Sequence, residues 1–299
     1  MNEAGHSEAH FGAYRDFWWN SDFLSLCAAR LDFQSRRRVL DVGCGVGHWS
    51  RAIAPFLTPG TQLTAVDPDP KWLQANPPWL AQLRDHDIDA RVLPGDAMAL
   101  PFADASFDFV TCQTVLIHVP DAAQALGEMV RVLAPGGLLL CVEPDNLGAC
   151  TSRSSCSDEQ TLEQAMASFG FQLAVERGRR ALRQGDHSVG GLLPGLFAGE
   201  ALRDIDVRLS DNAMPLYPPY EQPGQRALLE AMQDWSATDS AARAETFELF
   251  CKGGGDPARF DEVWLQFERD QAQLPELIES RRLTFAGGAL MYMVSGYKV

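Results

Sequence analysis

The chain has 299 residues, 46% of them hydrophobic, and a formal net charge of −15. That content excludes a disordered chain, and the length fits one enlarged domain or two small ones. The acidity argues against nucleic acid or an anionic membrane surface as the main partner, because both require a Lys/Arg footprint.

Residues 1–10 are polar and acidic and do not read as a secretory signal. No apolar run approaches the ~20 residues of a membrane span. The segment that follows is aromatic, with Tyr14, Phe17, Trp18, Trp19 and Phe23 near Arg15. It predicts a helix that packs on a core or covers a site. From residue 38 onward, strand and helix signals alternate. Apolar runs at 39–42, 63–66, 91–93, 107–111 and 138–142 predict buried strands, with helices at 49–56 and 121–133 between them. This alternation predicts an α/β protein with a parallel sheet covered by helices. Pro135-Gly136-Gly137 predicts a helix stop and a turn. Beyond it, 192–202 reads as a helix, 205–209 as a strand and 289–297 as a last strand. Two stretches, 146–187 and 217–286, read as mainly helical inserts. In the second, Phe260, Val263, Trp264 and Phe267 share one helix face, after an Asp256-Pro257 start signal.

The seven cysteines are scattered, odd in number and without a C-x-x-C pair. They predict free thiols in a reducing compartment, hence a cytoplasmic protein, and no metal site. Cys150 and Cys156 alone lie close together, in a Ser-rich stretch.

The strongest local signal is the run from Val39 to Gly47, VLDVGCGVG. A buried strand enters three alternate glycines, and a helix is predicted to start near His48. Glycine allows positive φ and a close approach of ligand to backbone, and a helix start presents unpaired N–H groups. A nicotinamide or flavin fingerprint spaces its glycines 0, 2 and 5. Here the spacing is 0, 2 and 4, with Asp41 two residues before the first glycine.

This D-x-G-x-G-x-G form resembles motif I of the Rossmann-like (class I) S-adenosylmethionine-dependent methyltransferases. The resemblance continues in order through Asp67 at the end of the second strand and the GDAMALPF run containing Asp96, Ala97 and Met98. It then takes in the FDFV strand with Gln113 and His118 after it, and EMVRVLAPGG. It implies a seven-stranded, mostly parallel sheet with an antiparallel last strand, and S-adenosylmethionine as cofactor. It implies that Gly43, Cys44 and Gly45 approach the cofactor, that Asp67 binds its ribose diol, and that Asp96 and Ala97 meet its adenine. Pro68 stands where the family often has a bulky apolar residue over adenine, so Met98 is expected to share that task. Tyr14, Arg15, Trp19, Gln113 and His118 are expected at the methionine end.

His118 and His187 are the candidate general bases, each of which also reads as an ordinary loop histidine. The core is expected at 37–145, 188–216 and 287–299 of a single domain. The cap is expected from 1–36, 146–187 and 217–286. A roofed site suits a small-molecule acceptor. Arg177, Arg179, Arg180 and Arg183 read as a solvated helix face or a recognition patch. A nicotinamide oxidoreductase and a non-catalytic cofactor-binding protein remain the alternatives.

Overall fold

The computed structural model describes residues 12–73, 77–235, 240–287 and 290–299. The expectation made for residues 1–10 lies outside them. In chain order the strands are β1 (Arg38–Val42), β2 (Gln62–Asp67), β3 (Asp89–Pro94), β4 (Phe107–Gln113), β5 (Leu133–Pro144), β6 (Leu202–Leu209) and β7 (Met291–Lys298). The helices are α1 (Ser21–Arg30), α2 (His48–Ile53), α3 (Pro78–Arg84), α4 (Ala122–Val132), α5 (Asn146–Ala149), α6 (Leu162–Ala181), α7 (Leu193–Ala198), α8 (Pro223–Trp235), α9 (Ser240–Lys252) and α10 (Phe260–Glu279).

The chain divides into two compact units. The sheet unit holds Trp19–Asp145, Val189–Asp211 and Met291–Val299. The helical unit holds Asn146–Ser188, Asn212–Leu290 and the described part of Met1–Trp18.

The sheet has seven strands in the order β3-β2-β1-β4-β5-β7-β6. β1 to β5 pair in parallel, and β7 runs antiparallel between β5 and β6. This is the Rossmann-like arrangement that the resemblance implied. Strand side chains alternate between two faces, as the period of two requires. Val39, Leu63, Phe109 and Leu140 enter one core with α1, α2 and α3; Leu40, Val110, Leu139 and Val294 enter the other with α4 and α7. Residues 19–36 were expected in the cap. Instead Leu24, Cys27, Ala28, Leu31 and Phe33 are buried in the first of these cores, because α1 turns its apolar side to the sheet.

Register decides what the carboxyl edge carries. Val42 pairs with both Val66 and Cys112, and Cys112 pairs with Cys141. Gly43, Asp67, Gln113 and Val142 therefore follow level positions of four neighbouring strands, and Glu143 stands one residue further along β5. β2 and β4 lie on opposite sides of β1, so the loops after β1 and β4 part at the switch point, where open α/β sheets bind ligands.

Several boundaries differ from expectation for local reasons. The helix predicted over 49–56 is α2 followed by a 3-10 turn at Ala54–Phe56, since Pro55 has no N–H to continue the α ladder. Pro135-Gly136-Gly137 lies inside β5, with Gly136 at φ +72 and a register irregularity between Phe107 and Phe109, so it makes a bulge and not a turn. α4 ends just before it, and Lys298 Nζ donates to the Val130, Arg131 and Leu133 carbonyls there. The helix expected over 192–202 is only α7, after which the chain passes Gly199 and enters β6 at Leu202. The last strand begins at Met291; residue 289 lies outside the described set.

In the helical unit a capping box of Thr161 and Gln164 starts α6. Its core joins Phe171, Ala174 and Val175 of α6 to Leu249 and Phe250 of α9 and to Phe260, Val263 and Trp264 of α10. The predicted apolar face of α10 is thus its buried face. Asp256 does cap, but it caps the 3-10 turn Pro257–Arg259 that leads into α10.

Candidate cofactor-binding edge

The loop after β1 is built from three left-handed glycines, Gly43, Gly45 and Gly47, at φ +69, +50 and +72. The Gly43 and Cys44 N–H groups both donate to the Val66 carbonyl, at 2.8 and 2.9 Å, and tie the loop to β2. A Cβ on Gly43 would lie 2.4 Å from Val115 Cγ2, and one on Gly47 would lie 2.1 Å from Trp79 Cδ2. A Cβ on Gly45 would meet nothing within 4 Å. Packing demands the outer glycines. The middle one faces open space.

Asp67 is buried beside that open side. Its Oδ2 accepts from the Gly45 N–H at 2.9 Å, and its Oδ1 accepts from the Asp69 N–H at 2.9 Å. It therefore orders the turn and the glycine loop together, while each carboxylate oxygen retains a second lone pair. Pro68, next in the chain, is exposed.

Asp96 is exposed at the start of the loop after β3, and its Oδ1 accepts from the Met98 N–H at 2.8 Å. Ala97 is buried and Met98 half-buried. The loop is held from α4. Glu128 accepts from the Leu100 N–H at 2.8 Å, Gln124 Nε2 donates to the Met98 carbonyl at 3.0 Å, and Arg131 donates to the Leu100 and Phe102 carbonyls. The Arg131 guanidinium, bonded to both Glu128 oxygens, holds the Glu128 carboxyl below its usual range. The EMVR segment quoted for the resemblance thus works as a clamp, a role its sequence spacing does not show.

Gln113 ends β4 and is buried. Its Oε1 accepts from His48 Nδ1 at 3.2 Å, and its Nε2 is buried with no acceptor among the described residues. His48 was not among the expected site residues. Its position directly after Gly47 was the only available signal. Behind it, Trp49 Nε1 donates to Thr111 Oγ1 at 2.9 Å, and Trp19 lies 5.3 Å from Trp49 and stacks on Phe23. Trp19 therefore packs into the core face beneath α2. Cys44 is buried, and burial pushes its thiol well up, so it is no nucleophile.

The turn after β4 carries His118, exposed, with its N–H donating to the Val115 carbonyl at 3.0 Å. The Glu143 carboxylate accepts from the N–H groups of Val115, Leu116 and Ile117 at 2.9, 2.9 and 3.4 Å. Burial pushes its carboxyl up to about 7 despite those bonds.

The remaining expected residues belong to the helical unit. Tyr14 is buried and edge-on to Trp18 at 6.4 Å, and burial pushes its hydroxyl up to about 12. The Arg15 guanidinium lies over the Trp18 ring at 5.1 Å. His187 sits against Glu176: its backbone N–H donates to Oε2 at 3.2 Å, and its ring Nδ1 is 4.0 Å from Oε1. The two candidate bases thus belong to different units. Arg179 pairs with Glu176 and Arg180 with Asp186, while Arg177 lines a cleft of about 560 Å³ with Leu162, Met166 and Phe171. Cys150 is exposed and Cys156 half-buried, and neither is in a disulfide. Among the described residues no cluster of His, Cys, Asp and Glu could hold a metal, and no helix is long and apolar enough to cross a membrane.

Residues 40–141 match the family described as a methyltransferase domain. This segment is a methyltransferase domain. The chain is 40% identical over 106 residues to a demethylmenaquinone methyltransferase of Staphylococcus aureus (strain JH9), covering 36% of this chain and 42% of that protein. It therefore spans about two fifths of the length of the curated relatives it matches. Among solved structures it is similar to a putative methyltransferase from Bacillus halodurans, at 20% identity and a TM-score of 0.49, covering 93% of this chain and 98% of that one. It is also similar to a putative sarcosine dimethylglycine methyltransferase from Galdieria sulphuraria, at 17% identity and a TM-score of 0.49, covering 93% and 84%.

The cofactor of this domain class is S-adenosylmethionine, and the residues of the methyltransferase edge fit it. A locked carboxylate stands beside an open glycine. An exposed carboxylate follows β3, and a buried amide donor at the end of β4 has no acceptor among the described residues. That donor set suits a ligand that offers hydroxyls, an amino group and a carboxylate.

Proposed function

We propose that the protein transfers a methyl group from S-adenosylmethionine to a small-molecule acceptor. The observation that carries this reading is the open side of Gly45 next to the locked Asp67 carboxylate at the switch point of the sheet. In this reading Asp67 takes the ribose diol, with Gly43, Cys44 and Gly45 providing the approach. Asp96, Ala97, Met98 and the exposed Pro68 flank the adenine. Gln113 Nε2 donates to the methionine carboxylate. When bound, the cofactor supplies a methyl carried on a sulfonium, displaced in line by the acceptor atom. The chain's own work is to align the two and exclude water, and to hold a base only where the acceptor arrives protonated.

His118 is the leading base, since it lies on the turn after β4 at the ligand-binding edge. His187 is the second; its backbone N–H is held by Glu176. Acceptor choice is assigned to the helical unit, whose two long segments are spliced into the chain after β5 and after β6. The relative from Staphylococcus aureus makes demethylated quinones the first acceptors to screen. The charge of −15 favours an acceptor other than nucleic acid.

The test is direct. Calorimetric titration should show binding of S-adenosylmethionine and S-adenosylhomocysteine and none of NAD(H) or NADP(H). An acceptor screen read by mass spectrometry should then show S-adenosylhomocysteine formation. Binding of a nicotinamide cofactor in place of S-adenosylmethionine would overturn the reading. Binding without turnover across quinones, phenols, amines and thiols would favour a non-catalytic role.

A further inference from the structure

Glu143 is a carboxylate where packing alone asks for an apolar side chain. It is fully buried near the end of β5, on the core face that holds Cys112, Leu116, Ile117 and Cys141, and it pairs in register with Tyr292 of β7. It makes no ion pair among the described residues. Nearby titratable groups are Cys112, whose Sγ lies 3.6 Å from Oε1, Cys141 beside Cys112, and Tyr292. Placing a carboxyl in such a site is unfavourable unless hydrogen bonds compensate.

Those hydrogen bonds converge from one place. Three consecutive backbone N–H groups, of Val115, Leu116 and Ile117, aim at its two oxygens. Successive N–H groups gathered on one anion form a nest, with the anion supplied here by the protein itself. The turn so held touches the cofactor loop: Val115 Cγ2 lies 2.4 Å from where a Gly43 Cβ would stand. Its next residue is His118, whose N–H closes back on the Val115 carbonyl.

We propose that Glu143 is the positioning residue of the cofactor edge: its carboxylate holds the 115–117 turn, which sets the glycine loop through Val115 and presents His118. The effect on cofactor affinity rests on the methyltransferase reading; the effect on the turn does not. A residue present only for core stability would be replaceable by leucine, since a buried charge with no counter-ion gives way to an apolar isostere at little cost. A positioning residue would not.

The test compares E143L, E143Q and E143D in the full chain. Three readouts are needed: titration with S-adenosylmethionine, hydrogen exchange of peptides covering 113–119, and thermal melting. E143L is expected to melt within a few degrees of wild type, to lose exchange protection at 115–117, and to bind S-adenosylmethionine about tenfold or more weakly. E143Q keeps one oxygen for the Val115 and Leu116 N–H groups that share Oε1, and is expected to restore affinity to within about threefold. E143L with wild-type protection and wild-type affinity overturns the proposal. Should E143L not fold, E143D decides: the retracted carboxylate is expected to lose protection at 115–117 ahead of the rest of the sheet, and unchanged protection overturns the proposal. A wild type that binds no S-adenosylmethionine overturns the methyltransferase reading instead, and the exchange measurement still decides whether Glu143 holds the turn.

Discussion

Replacing each glycine of the loop by alanine separates packing from ligand approach. At Gly45 the added methyl meets no protein atom within 4 Å. Its cost is the left-handed backbone at φ +50, about 1 kcal/mol for a non-glycine residue, or a melting shift of about 2–4 °C. At Gly47 the methyl would stand 2.1 Å from Cδ2 of the buried Trp79 ring. Overpacking adds about 1–3 kcal/mol to the backbone cost, so the variant should lose about 2–4 kcal/mol. Gly43→Ala meets Val115 in the same way at 2.4 Å. The cofactor assay should rank them differently. Gly45→Ala, although the least destabilised of the three, should weaken S-adenosylmethionine binding at least about tenfold, about 1.4 kcal/mol, because its methyl fills the approach. Calorimetric Kd values set beside urea melts give both columns. Wild-type affinity in Gly45→Ala would refute the argument, and so would a loss of stability matching Gly47→Ala.

Other outcomes follow from the same geometry. The Glu143 carboxyl is raised from 4.5 to about 7, so the folded state holds its proton more tightly than the unfolded one. Stability from this group is complete below pH 4.5 and is lost as pH rises through 7, by about 3 kcal/mol. Urea unfolding at pH 4.5 and pH 8 should show wild type losing about that much relative to E143Q; parallel behaviour would contradict the burial argument. His118→Ala should lower kcat with little change in cofactor Kd, and His187→Ala should do so only if the acceptor's proton passes to the His187–Glu176 pair; single-turnover assays distinguish them. Arg131→Met removes the clamp on the loop after β3 and should weaken S-adenosylmethionine several-fold, with faster hydrogen exchange at 97–102 while β1 and β4 stay protected. Asp67→Asn should bind S-adenosylmethionine about tenfold or more weakly, since an amide accepts through one oxygen only and cannot serve the loop and a ribose diol together.

The sequence by itself determined whatever is encoded within a few residues along the chain. The strand period of two, the alternation of strand and helix, and a glycine loop between β1 and α2 are local patterns. Through them the sheet class, the cofactor and the candidates Gly43, Gly45, Asp67 and Asp96 were legible. Element ends were less legible where one residue outweighed periodicity, as Pro55 did in α2 and Gly136 in β5. The tertiary structure alone decided which groups meet from distant strands. Register put Gly43, Asp67, Gln113 and Glu143 on one edge; sequence spacing contains no register. His48 met Gln113 across 65 positions, and Glu143 met the 115–117 turn across 26 to 28. The same packing showed that the three glycines, alike in the sequence, differ in surroundings: two are required by Val115 and Trp79, and the third faces open space. Hydrogen bonds and steric contact act over a few ångströms in space, so chain order shows them only where it coincides with proximity.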